Sequence, residues 1–303
     1  MSPLSRRTFL IGTASAAVLA ACGGGDDDDT TTEATTDATT GDGATSTSAA
    51  PGTGLAIARV FNPQQPAGHE LRLPIALADA DGAILDLADV PASITFRFGP
   101  EGGAMSAPVE VARHDDGIPT PYFPLRMTLE PGTYRIEIEA DGTPAATTVE
   151  AVPPNQTAVV PIVGGPLIAL QTPTTADPRG VDPICTRDPA CPFHEQTLEE
   201  AMASGKAVAF IISTPQFCQT AICGPVLDLL IARAEQHRDT IAFVHAEVYT
   251  DSNARETTEA VQAYGLTWEP SLFLAQPDGT ITSRLDYTYD GVELDEALSR
   301  LVQ

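Results

Sequence analysis

The sequence predicts a multidomain chain in which an antiparallel β-sandwich is followed by an α/β domain, and three observations carry that expectation. Between residues 55 and 152, apolar residues alternate in short runs separated by turn dipeptides, the period-two signature of half-buried strands. Beyond His194 the pattern changes to unbroken apolar runs alternating with segments of helical spacing, as in a sheet covered on both faces. A stretch rich in Pro, Thr and Gly separates the two regions, and 303 residues leave room for two ordinary domains.

Residues 1–21 read as a signal peptide. Arg6 and Arg7 precede an apolar run from Phe9 to Ala21, shorter than the about 20 helical residues that a hydrocarbon core requires. Ser5-Arg6-Arg7-Thr8-Phe9-Leu10 resembles a twin-arginine export signal, and Leu19-Ala20-Ala21-Cys22 resembles a lipobox. The second resemblance implies acylation of Cys22 and a lipid-anchored protein on the extracytoplasmic side of the cell membrane. In residues 22–54, Cys22 is followed by Gly23-Gly24-Gly25-Asp26-Asp27-Asp28-Asp29 and then by a tract of mainly Thr, Ala, Ser, Asp and Gly. Such a segment has too little apolar area to offset the entropy of ordering it, so a disordered tether is expected.

The sandwich is expected over residues 55–152. Its strands are read from Leu55-Ala56-Ile57-Ala58-Arg59-Val60, Leu71-Arg72-Leu73-Pro74-Ile75-Ala76-Leu77, Ile94-Thr95-Phe96-Arg97-Phe98 and Tyr134-Arg135-Ile136-Glu137-Ile138, with turns at Asp81-Gly82, Pro131-Gly132 and Asp141-Gly142. The phrase from Leu129 to Ile138, with Tyr134 as a packing aromatic, resembles the late strand of immunoglobulin-like domains. Without cysteines or convergent polar residues, this region reads as a spacer rather than a binding module. Residues 153–196 read as a Pro-rich connector, with an edge or linker strand near Val159 to Val163.

The α/β domain is expected over residues 197–303. Helices are predicted at residues 198–204, 223–237, 256–264 and 295–301, and buried strands at residues 207–212 and 241–248, with two further strands before the last helix. In this order the residues resemble a thioredoxin-like domain. Ser213-Thr214-Pro215-Gln216-Phe217-Cys218 is similar to that family's active-site approach, with Phe217 in place of the usual tryptophan. Gly224-Pro225-Val226-Leu227-Asp228 is similar to its proline-containing helix, and Trp268-Glu269-Pro270-Ser271-Leu272 to its cis-proline segment. The resemblance implies a redox pair, Cys218 and Cys223, facing a substrate-holding loop made of Trp268, Glu269 and Pro270, with no cofactor beyond the disulfide itself.

Two departures bear on that implication. The family spaces its cysteines by two residues, and Cys218 and Cys223 are separated by four. Within one regular helix, residues five apart have Cα atoms about 8.6 Å apart, beyond the roughly 7 Å that a disulfide spans. Cys218 must therefore lie outside the helix, or no bond forms with Cys223; in a loop ahead of the helix, N–H groups and the helix dipole would favour its thiolate. Many members also carry a buried aspartate in the preceding strand, where this chain has Ile211 and Ile212.

Composition excludes other classes. A formal charge of −25 and a single lysine, Lys206, are incompatible with holding a phosphate backbone, so no nucleic-acid partner is expected. With Cys22 assigned to lipid, four cysteines remain in an oxidising compartment; they allow three connectivities, among which sequence alone does not choose, and the short loops suggest a structural disulfide Cys185–Cys191 beside the Cys218/Cys223 pair. Cys185, Cys191 and His194, with Asp188 and Glu195 nearby, also suit copper(I) or zinc. Three ligands fall short of a zinc site's usual four, so the staple is preferred and no metal is expected. His69, His114, His237 and His245 read as structural. The leading expectation is thus a thiol–disulfide oxidoreductase acting on exported proteins with cysteines. The alternatives are a non-enzymatic scaffold that binds a partner peptide, and a copper(I) chaperone like the Sco type, whose cysteines are spaced by three residues.

Overall fold

The computed structural model describes residues 46–49, 55–140, 142–156 and 161–302. The leader and Cys22 lie outside the described residues, as does the tether apart from residues 46–49. No helix among the described residues is long and apolar enough to cross a membrane.

The described residues are mostly β-sheet with few helices. Nine strands come first: β1 (Ser46–Ala49), β2 (Leu55–Arg59), β3 (Gln64–Pro66), β4 (Glu70–Asp79), β5 (Ser93–Pro100), β6 (Val109–Ala112), β7 (Phe123–Thr128), β8 (Gly132–Ala140) and β9 (Thr143–Val152). They form a sheet of order β1-β2-β4-β7 and a second of order β3-β9-β8-β5-β6, antiparallel throughout except for the β3–β9 pair. Alternation places Phe123, Leu125 and Met127 of β7 inward, against Phe96 of β5 and Ile136 and Ile138 of β8, so the inner faces of both sheets share one core. Each such large side chain contributes about 1.5–3 kcal/mol by leaving water. The second half of β4 departs from alternation: Ile75 to Ala78 are all buried. Its outer face carries Ala76 and Ala78, which cluster with Ala56 and Ala58 of β2.

The second half comprises α1 (Leu198–Ala203), β10 (Ala207–Ile212), α2 (Cys223–His237), β11 (Ile241–Ala246), α3 (Glu259–Ala263), β12 (Ser271–Ala275), β13 (Ile281–Asp286) and α4 (Gly291–Leu301). The sheet runs β11-β10-β12-β13, with β10 parallel to β11 and the other pairs antiparallel. Every residue of β10 and β11 is buried because helices cover both faces. α2 and α4 pack on Ala209 and Ile211, and α1 and α3 on Val208, Phe210 and Ile212. α1 opens with a reciprocal capping box between Thr197 and Glu200. α4 starts at Gly291, ahead of the expected residue 295, because the Asp290 carboxylate accepts the Glu293 N–H at 2.8 Å and begins the helix there.

Much of the expected connector belongs to this half. The Gly164 N–H donates to the Ile281 carbonyl and the Leu167 N–H to that of Gly279. Val181, Cys185, Cys191 and Phe193 are buried, and the Phe193 carbonyl accepts the His245 N–H of β11. Residues 161–163 form no strand.

The halves meet through buried charge. Glu293 of α4 receives both Nε (2.7 Å) and an Nη (2.5 Å) of Arg72 from β4, an Nη of Arg126 from β7 (2.6 Å), and the Tyr122 hydroxyl (2.5 Å). Beside it, His114 Nδ1 lies 2.8 Å from the Asp290 carboxylate.

Candidate functional site

β10 ends at Ile212 and α2 begins at Cys223, so Cys218 sits in the intervening loop, partly exposed, while Cys223 is the first residue of the helix and fully buried. A turn closed by the Ala221 N–H on the Cys218 carbonyl, with Ala221 at a left-handed φ of 54°, folds the loop back on itself. The five-residue separation is thereby collapsed: the Cys223 N–H donates to Cys218 Sγ at 3.4 Å, and the Thr220 hydroxyl lies 3.5 Å from the same sulfur. Neither cysteine is in a disulfide in this structure.

The two thiols are electrostatically unlike. The Cys223 thiol, then the Thr220 hydroxyl and the N–H groups of Cys223 and Ile222, stabilise charge on Cys218 and hold its pKa at about 5 despite partial burial. Burial, and then that neighbouring charge, push Cys223 well above the ordinary thiol range. One sulfur is thus prepared as thiolate and the other as proton-bearing thiol.

The Trp268-Glu269-Pro270 segment closes one side, with the Glu269–Pro270 bond cis. Trp268 is buried and stacks on Tyr287 at 5.5 Å between ring centroids, and the Arg284 guanidinium lies over its ring. Burial, reinforced by the charge on Cys218, raises the Glu269 carboxyl to about 7. Glu269 lines the same cavity as Thr220, the residue whose hydroxyl faces Cys218 Sγ. A cavity of about 630 Å³ opens beside this loop. Gln219, Thr220 and Ile222 line one wall, Trp268, Glu269 and Tyr287 another, and Ala76, Ile84 and Tyr122 of the first half a third. The first half, read from sequence as a spacer, therefore lends a wall to the cavity.

Cys185 and Cys191, expected as a structural disulfide, are likewise unbonded here. They are joined by His194 and by His245 of β11, all four side chains being buried. From the sequence His245 reads as an ordinary core histidine. The signal that could have singled it out is its place as the one ionisable residue in the otherwise apolar strand Ile241-Ala242-Phe243-Val244-His245-Ala246.

No protein-family profile and no curated protein matches this chain. Among solved structures, the Lin-41 filamin domain aligns with 35% of this chain and 98% of its own, at 19% identity and a TM-score of 0.24.

Proposed function

We propose that this protein is a thiol–disulfide oxidoreductase whose α/β half is thioredoxin-like, working through Cys218 and Cys223. The observation that carries this reading is the asymmetry of the pair: a partly exposed sulfur held as thiolate by the start of α2, directly backed by a buried thiol. In the exchange, the Cys218 thiolate attacks one sulfur of a substrate disulfide, and the other substrate sulfur leaves as thiolate. Cys223 then passes its proton to the Glu269 carboxylate and attacks Cys218 Sγ, which releases the second substrate thiolate. The substrate gains two electrons and the Cys218–Cys223 dithiol loses them, so a dithiol donor must restore the pair before the next turnover. Glu269 thereby serves in place of the acid that the strand before Cys218 lacks.

The cis-proline loop and the aromatic wall of Trp268 and Tyr287 suit an extended peptide, and the leader and Cys22 point to exported proteins with cysteines as substrates. The first half, an immunoglobulin-like sandwich on this reading, completes the cavity rather than acting as a plain spacer.

Reduction of a small disulfide substrate, coupled to a dithiol donor, tests the proposal on the full chain and on Cys218→Ser. Turnover should be lost in the variant while its thermal unfolding stays near that of the parent. Equal rates, or a pair potential below about −300 mV, would instead make the pair a structural element of a binding scaffold.

A further inference from the structure

Outside the cavity and its cysteine pair, the most concentrated unexplained chemistry is the cluster of Cys185, Cys191, His194 and His245. One ligand atom from each lies within 4.8 Å of the other three, and all four residues are buried. The measured edges are specific: His245 Nδ1 stands 3.1 Å from His194 Nε2, 3.4 Å from Cys191 Sγ and 3.8 Å from Cys185 Sγ. A tetrahedral ion with bonds of about 2.3 Å to sulfur and about 2.0–2.1 Å to nitrogen sets neighbouring ligands about 3.3–3.8 Å apart. The three spacings from His245 fall in or just beside that range, and the others are no longer than 4.8 Å.

The surroundings prepare the ligand atoms. His245 Nε2 lies 3.1 Å from the Ser213 carbonyl, an acceptor only, and 3.0 Å from the Ser213 hydroxyl, which can accept as well as donate; a ring proton on Nε2 suits both and turns the Nδ1 lone pair to the cluster. The Cys191 N–H donates to Cys185 Sγ at 3.3 Å, a bond that suits a thiolate. The cluster is tied across long stretches of chain: the Phe193 carbonyl accepts the His245 N–H, and the Thr186 N–H donates to Glu247, two residues beyond His245.

We propose that Cys185, Cys191, His194 and His245 form a closed, structural zinc site, independent of the exchange chemistry at Cys218. Two thiolates and two neutral imidazoles carry two negative charges, which would be costly in a buried position unless neutralised. A divalent cation cancels them, whereas copper(I) would leave one uncompensated. The donor set contains no oxygen, which disfavours calcium and magnesium. It is also too compact for a two-iron cluster, in which thiolates and imidazoles ligate different irons.

Elemental analysis of the full chain, purified under reducing conditions from zinc-replete medium, should find about one zinc per chain, as a single closed four-ligand site requires. Cys191→Ser and His194→Gln should each lose the ion. Cys218→Ser should retain it, which separates failure of this proposal from failure of the exchange reading. Because a ligand variant can fail to fold, cobalt(II) exchange into the parent protein supplies a second readout: intense visible bands of tetrahedral cobalt with thiolate-to-metal charge transfer. Absence of stoichiometric zinc, copper or iron in its place, a Cys185–Cys191 disulfide by thiol trapping, or octahedral cobalt spectra would each overturn the assignment.

Discussion

Chemistry at the thiol pair depends on how each group holds its proton. The pKa of about 5 at Cys218 leaves this sulfur almost wholly ionised at neutral pH, whereas an ordinary cysteine, near about 8.5, is mostly protonated. Alkylation of Cys218, followed by mass spectrometry, should therefore rise through a midpoint near pH 5 and be flat above it. Turnover should follow a different curve. Glu269, raised to about 7, is protonated below that pH and cannot take the proton of Cys223. The rate should climb through pH 7 while alkylation has already levelled off. Glu269→Gln should remove that limb and slow turnover at pH 8 on the order of 100-fold, with the alkylation plateau retained. A turnover profile that instead tracks alkylation would assign the proton to another acceptor.

The start of α2 is where element geometry sets the surroundings of Cys218. Its N-cap residue, Ile222, has no side chain able to cap, and the Cys223 N–H is satisfied by the sulfur of Cys218. The helix places Val226, Leu227, Leu230 and Ala234 against the sheet, so its N-terminus is anchored and the loop must come to it. The loop does so through Ala221 at φ 54°, a left-handed conformation that costs an L-residue roughly 1–2 kcal/mol. Ala221→Gly should be neutral or stabilising in denaturant unfolding. Ala221→Val, β-branched in the same place, should cost on the order of 1–3 kcal/mol and raise the pKa of Cys218 as the sulfur loses the Cys223 N–H. A Val variant as stable as the parent would mean that the turn does not constrain the loop.

For the whole molecule, the decisive contact is the buried cluster at Glu293. Burial alone would raise its pKa, but Arg72, with help from Tyr122 and Arg126, holds the carboxyl down at about 2. Because the folded pKa lies below the unfolded one, this stabilisation is complete above the unfolded carboxylate pKa. It is lost as pH falls from there through about 2. Glu293→Gln should cost about 3–5 kcal/mol by leaving Arg72 buried without its counter-charge. It should also flatten the acid limb of the stability curve, as measured by urea unfolding between pH 5 and pH 2. The same cluster holds the sandwich beside α4, and so holds the third wall of the cavity. The variant should weaken peptide binding as well as stability.

Local pattern made much of this architecture legible. Period-two alternation marks β7 and β8, the unbroken apolar run marks β10 between helices, and the helix predicted from Cys223 to His237 occupies that range. If Cys218 and Cys223 are to pair, their five-residue spacing requires the first to sit outside the helix. Pattern cannot report which distant residues meet. His245 comes to the Cys185 and Cys191 thiols because the chain at Phe193 lies along β11, and Glu293 meets Arg72 across 221 residues of chain. The sequence by itself determined the periodicities, the cysteine spacing and the charge balance, since these follow from neighbouring residues and backbone geometry. Only the tertiary structure decided that two cysteines stand beside two histidines, that the sandwich walls the cavity, and where the buried charges pair. Those outcomes follow from packing sheets and helices together, which no local repeat encodes.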